Sequence, residues 1–231
     1  MRYFKHFSSA NVRDEARMYP RLNPQQVVKE DQLNDLPNPE GECRLLVVLL
    51  NPGSSPTCNV EHFPAWVESP IKRKNPTNRN VAKLVEDYAQ TTSWEPTYYA
   101  RIVCLFQTTG RDPIEAFDLP DALKFPSVEE IAHAHPDGAP VVLGWGSTFH
   151  PDANDYDAND VANFNAAKAQ IIEQFTHAVG ARYIHSIFGC VPVGPKGFGD
   201  IQGLQPAHPS ARPTVRSKGW AAAVLEAISE L

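Results

Sequence analysis

Cys43-Arg44-Leu45-Leu46-Val47-Val48-Leu49-Leu50, running straight into Asn51-Pro52-Gly53-Ser54-Ser55, is the stretch on which the fold turns. Apart from Arg44 the run is apolar at successive positions rather than alternating, the pattern of a strand covered on both faces of a parallel sheet. It breaks off at three turn-forming residues, and loops leaving the carboxyl ends of such strands are where α/β proteins build their sites.

Three further runs share this character: Tyr98 to Phe106, Pro140 to Trp145, and Arg182 to Phe188. Helical periodicity separates them. Val81, Leu84, Val85 and Tyr88 recur on one face after Pro76-Thr77-Asn78, a capped start. Ser127 with Glu130 forms a capping box, a longer pattern from about Asp160 to Val179 ends at Gly180, and Ala221, Val224, Leu225 and Ile228 share a face near the C-terminus. The alternation predicts an α/β fold, a three-layer open sheet of about four mainly parallel strands. Residues 1–40, polar and proline-bearing, are expected to form an arm or small edge structure, and 41–231 a single domain.

With 231 residues, 42% of them hydrophobic, the chain has enough apolar surface for one sizeable core. The run from Leu45 to Leu50 is far short of the roughly 20 apolar residues that a membrane span needs, and Met1-Arg2-Tyr3-Phe4-Lys5-His6 lacks a signal-peptide apolar region. A cytoplasmic protein without a membrane partner is expected. Cys43, Cys58, Cys104 and Cys190 are scattered without a C-x-x-C pair, so buried reduced thiols are the simpler reading. The spacing of His133 and His135 points their rings apart, and the acidic tract Asp152 to Asp160 lacks the glycine and glutamate of a calcium loop; neither predicts a metal. Gly189 to Gly203 matches neither phosphate-binding nor dinucleotide spacing, so no cofactor is expected.

The net charge of −6 conceals an uneven distribution. Residues 112–160 hold eleven acids against one lysine, whereas 70–111 hold seven basic residues against three acids. Lys72-Arg73-Lys74 lies in the basic stretch, and phosphate binding depends on local cations rather than on the total. A solvated surface whose charges merely segregate explains the same pattern.

His208-Pro209-Ser210-Ala211-Arg212-Pro213 is the second polar motif beside rigid prolines. Taken in order, the strand ends resemble the uracil-DNA glycosylase superfamily. Asn51-Pro52-Gly53 after its apolar strand is similar to the first active-site motif of the mismatch-specific branch. Val142-Leu143-Gly144-Trp145-Gly146 is similar to the third-strand Trp-Gly of the uracil branch, and His208-Pro209-Ser210 to the second active-site motif. Across about residues 43–213 the chain also resembles the bacterial domain-of-unknown-function 1643 family, a divergent relative. That resemblance rests on Asn51-Pro52-Gly53, Asn75-Pro76-Thr77 with Arg79, Cys104-Leu105-Phe106, Trp145-Gly146 and His208-Pro209.

The resemblance implies chemistry on the N-glycosidic bond of a flipped base, in DNA repair, with DNA or a nucleotide as partner. His208 would donate to the base oxygen where charge develops, a role worth about 3 kcal/mol per donor in other enzymes. Asn51 would hold the attacking water. Pro52, Gly53, Ser54, Phe106, Gln107, Trp145, Ser210 and Arg212 are the candidate substrate-binding residues, Ser210 as a phosphate contact, and Lys72, Arg73, Lys74 and Arg79 are candidate phosphate contacts. Three features depart from the pattern. Asn51 stands where efficient uracil-removing members carry aspartate, and loss of a general base costs about a hundred- to ten-thousand-fold. The base-reading asparagine has only Cys104, Phe106 or Gln107 near its place. Arg212 occupies the apolar wedge.

Both motifs also have plain structural readings, Asn51-Pro52-Gly53 as a tight turn and His208 as a loop residue satisfying a carbonyl. Three functions remain open on sequence alone: a glycosylase-like hydrolase of low activity, a non-catalytic nucleotide or nucleic-acid binder on the same scaffold, and an enzyme acting on a small nucleoside or glycoside.

Overall fold

The computed structural model describes residues 1–9, 12–21, 36–37, 41–49, 60–72, 74–104, 139–144, 159, 162, 166 and 219–229. Within them lie strands β1 (Arg2–Ser9), β2 (Val12–Tyr19), β3 (Cys43–Leu49), β4 (Ala65–Glu68), β5 (Tyr99–Cys104) and β6 (Val141–Gly144), and helices α1 (Pro76–Thr92) and α2 (Trp220–Ser229). The strands form one open sheet in the order β4-β1-β2-β5-β3-β6.

The half predicted from apolar runs is parallel. Val47 of β3 pairs with Ile102 of β5 on one side and Val142 of β6 on the other. All of β5 and β6 and all of β3 except Arg44 are buried, which is why these strands are apolar apart from Arg44 and the ion-paired Arg101.

The other half departs from the expectation of about four mainly parallel strands. Among the described residues there are six, and β4, β1 and β2 add an antiparallel meander, β2 pairing with β5 through Arg17 opposite Arg101. Residues 2–19 thus extend the sheet itself. The reason they escape an apolar-run criterion is plain: Lys5, Arg13 and Glu15 are charged yet buried. The expected strand at 182–188 and the expected helix at 127–131 lie outside the described residues, as does the expected helix at 160–179 apart from 162 and 166, which are helical.

A β-bulge shapes the hairpin. His6 pairs with Glu15 and Phe7 with Arg13, so Asp14 is the extra residue. In an unbroken strand Arg13 and Glu15, two positions apart, would share a face. The inserted Asp14 instead sends Arg13 to the face of Tyr3 and Cys104, and Glu15 to the face of Arg101 and Arg17. Asp14 itself turns to His6 and Ser8, 2.9 Å from each.

Helix α1 begins as its sequence dictates. Asn75 caps it, accepting the Asn78 backbone N–H at 3.0 Å, and Pro76 follows in the first turn where its missing N–H costs nothing. It stops at Ser93, whose left-handed backbone (φ 53°) returns its N–H to the Ala89 carbonyl. Val81, Leu84 and Val85 pack with Trp220, Ala221 and Val224 of α2 onto Tyr3, Met18, Val47, Ile102 and Cys104 of the sheet. The opposite face carries a smaller cluster, Phe4, Tyr19, Leu36, Cys43 and Tyr99, with Trp66 against it. No described helix is long and apolar enough to cross a membrane.

Candidate functional site

Leu49 lies opposite Cys104 on one side and Gly144 on the other, so β3, β5 and β6 end flush at a common rim. Antiparallel pairing brings the turn of the β1–β2 hairpin to the same rim, because β2 runs against β5 and Arg13 lies at its start. In the sequence Asn51 follows Leu49 by two positions, Phe106 follows Cys104 by two, and Trp145 comes directly after Gly144. Asn51, Pro52, Gly53, Ser54, Arg73, Phe106, Gln107, Trp145, His208, Ser210 and Arg212 themselves lie outside the described residues.

Three predicted phosphate contacts are described. Lys72, Lys74 and Arg79 are all exposed, at or just before the first turn of α1. That turn contains no acidic residue, so the positive end of the helix dipole is left to the added cations. The Asn78 side chain, from the same turn, faces the Tyr3 hydroxyl and works to lower its pKa.

Tyr3 leads to a group that sequence reasoning missed. The Arg13 guanidinium donates through Nη1 to the Tyr3 hydroxyl at 3.3 Å and through Nη2 to Cys104 Sγ at 3.2 Å. Only 3% of Arg13 is exposed. Burial pushes both the Tyr3 phenol and the Cys104 thiol up from their ordinary values, more than the guanidinium pulls them down. Both are therefore neutral at neutral pH, and the charge on Arg13 meets no carboxylate among the described residues.

The other face holds the opposite arrangement. Burial alone would raise the Glu15 carboxyl, but Arg101 and Arg17 outweigh it and hold it below the usual carboxylate range. Arg17 donates to one carboxylate oxygen at 2.8 Å and Arg101 to the other. Arg17 is also sandwiched by aromatic faces, 4.8 Å from the Trp66 centroid and 4.4 Å from that of Tyr99. This cluster welds β2 to β5 and β4 to both, a structural role.

Alternating charge at Arg13, Glu15 and Arg17 reads in sequence as a solvated strand face. The one signal against that reading is the intervening apolar pair Ala16 and Met18, but nothing local announces the bulge.

No protein-family model, no curated protein and no solved structure matches this chain.

Proposed function

We propose that the carboxyl rim of β3, β5 and β6 binds a nucleotide or nucleic acid and hydrolyses an N-glycosidic bond, on a scaffold of the uracil-DNA glycosylase type. The reading rests on the motifs quoted above. It draws its support from one observation: the strands that precede Asn51, Phe106 and Trp145 are neighbours and end level, at Leu49, Cys104 and Gly144. In this scheme water gives its hydroxyl to the sugar carbon and its proton to the departing base. Asn51 orients that water without accepting its proton, and His208 donates a hydrogen bond to the base oxygen.

An amide in place of a carboxylate makes the turnover slow, so the test uses protein in excess over labelled duplexes containing uracil, hypoxanthine, xanthine or an alkylated base. Alkali then reveals abasic sites as strand breaks. The expected result is breakage with at least one of these bases, lost in both Asn51→Ala and His208→Ala. Breakage that survives both substitutions, or none with any base, overturns the proposal.

The exposed cations beside α1 favour a second reading, binding without hydrolysis. It predicts salt-dependent association with DNA, weakened by charge reversal at Lys72, Lys74 and Arg79. A flat salt response excludes it.

A further inference from the structure

Among the described residues the Arg13 guanidinium has a buried donor, Nε, that meets no acceptor. Arginine carries only donors, and a buried cation needs either a counter-charge or a full set of acceptors. Among the described residues the acceptors in contact with this guanidinium are the Tyr3 oxygen and the Cys104 sulfur. Because phenol and thiol are both protonated, each adds a hydrogen of its own to donate. The group is thus donor-rich and positively charged.

The carboxylates nearest in sequence do not relieve it. The bulge turns Glu15 to the far face, onto Arg17 and Arg101, and Asp14 toward His6 and Ser8. Bulges recur beside functional sites because they re-aim one side chain in this manner. Cys104 is the last residue of β5 and Arg13 the second of β2, so these two sit where the parallel strands end, while Tyr3, opposite Met18, lies toward the start of β5 and meets Arg13 through its hydroxyl.

We propose that Arg13, Tyr3 and Cys104 form a binding site for a phosphate group, which supplies the missing acceptors and negative charge. A phosphate offers several acceptor oxygens to donors arriving from separate residues, where a carboxylate offers two. The site stands independently of hydrolysis at Asn51 and His208.

The test is a titration of the full chain at constant ionic strength, following the arginine Nε–H resonances by nitrogen-15 NMR. Inorganic phosphate and a nucleoside monophosphate form two arms, and acetate a third. The Arg13 resonance, identified by its absence in Arg13→Lys, is expected to shift saturably with phosphate. A shift with inorganic phosphate marks a free-anion site, and a shift with the nucleotide alone marks a phosphate ester. Either supports the proposal. Tyr3→Phe removes one donor while keeping the ring, and is expected to weaken the phosphate affinity about tenfold. It also gives a second readout should Arg13→Lys fail to fold, with the resonance then assigned through its proximity to Tyr3. No saturable shift in either phosphate arm, a shift with acetate alone, or unchanged affinity in Tyr3→Phe overturns the proposal.

Discussion

Arg13 of β2 and Cys104 of β5 stand 91 positions apart in the chain and 3.2 Å apart in the fold, guanidinium Nη2 to thiol sulfur. The contact ties the start of the N-terminal hairpin to the last residue of a central strand. It makes Cys104 more than core filler. Cys104→Ser keeps an acceptor for Nη2, whereas Cys104→Ala leaves a buried charged donor without one, at a cost of about 1–3 kcal/mol. Urea unfolding is expected to rank the alanine variant below the serine variant by that amount. Equal stability would show that the sulfur contributes nothing as an acceptor.

Glu15 is the counter-ion for two arginines at once, so removing its charge strands both. Glu15→Gln is expected to destabilise the fold by roughly 3–5 kcal/mol, the range for breaking a buried ion pair. The pH dependence follows from the lowered carboxyl. The unfolded chain binds the proton more readily, so this stabilisation is fully present above the ordinary carboxylate value of 4.5. It is lost as pH falls from there through the lower, folded value. Acid titration of stability in wild type and Glu15→Gln checks the sign: the variant loses less stability across that window.

The Cys43 thiol is pushed up to about 11 by burial, from an ordinary value of 9.0. Two pH units mean roughly a hundredfold less thiolate at neutral pH, and the thiolate is the species that reacts. Alkylation mapped residue by residue by mass spectrometry is expected to label Cys43 at least a hundredfold more slowly in the native protein than in urea. Comparable rates would place Cys43 outside the core.

Asn75 closes the first turn of α1 through the Asn78 N–H. Asn75→Ala removes that acceptor and is expected to cost about 1 kcal/mol. Asn75→Asp keeps it and adds a negative charge at the positive end of a helix whose first turn has none. Denaturant midpoints should therefore fall in the order Asp, Asn, Ala, with the gap below Asn the larger.

The legible half of this fold is the half that apolar burial alone specifies. β3, β5 and β6 are visible because nearly every position is apolar, and α1 and α2 because Val81, Leu84, Val85, Ala221, Val224 and Ile228 keep helical spacing. β1 and β2 hide because their buried faces include Lys5, Arg13 and Glu15, whose company comes from residues some 86 to 91 positions away or from a neighbouring strand, and β4 because it is four residues long and only half-buried. Long-range pairing of that kind leaves no local trace. The strand pattern points to the loops after β3, β5 and β6, but that these strands end level is a matter of register, which apolar runs do not specify. Arg13 was invisible as a candidate because a single inserted residue, Asp14, decides which face it occupies.

Among the described residues β4 pairs its backbone with β1 alone, and β1 is joined to β5 by way of β2. The first two strands therefore act as a bridge whose removal does more than shorten the protein. Trimming the opening twenty or so residues would cast β4 adrift, bare the backbone groups along β5, and offer a ready template for intermolecular strand pairing. Aggregation on amino-terminal truncation is the practical signature of a sheet whose middle is supplied by its earliest residues.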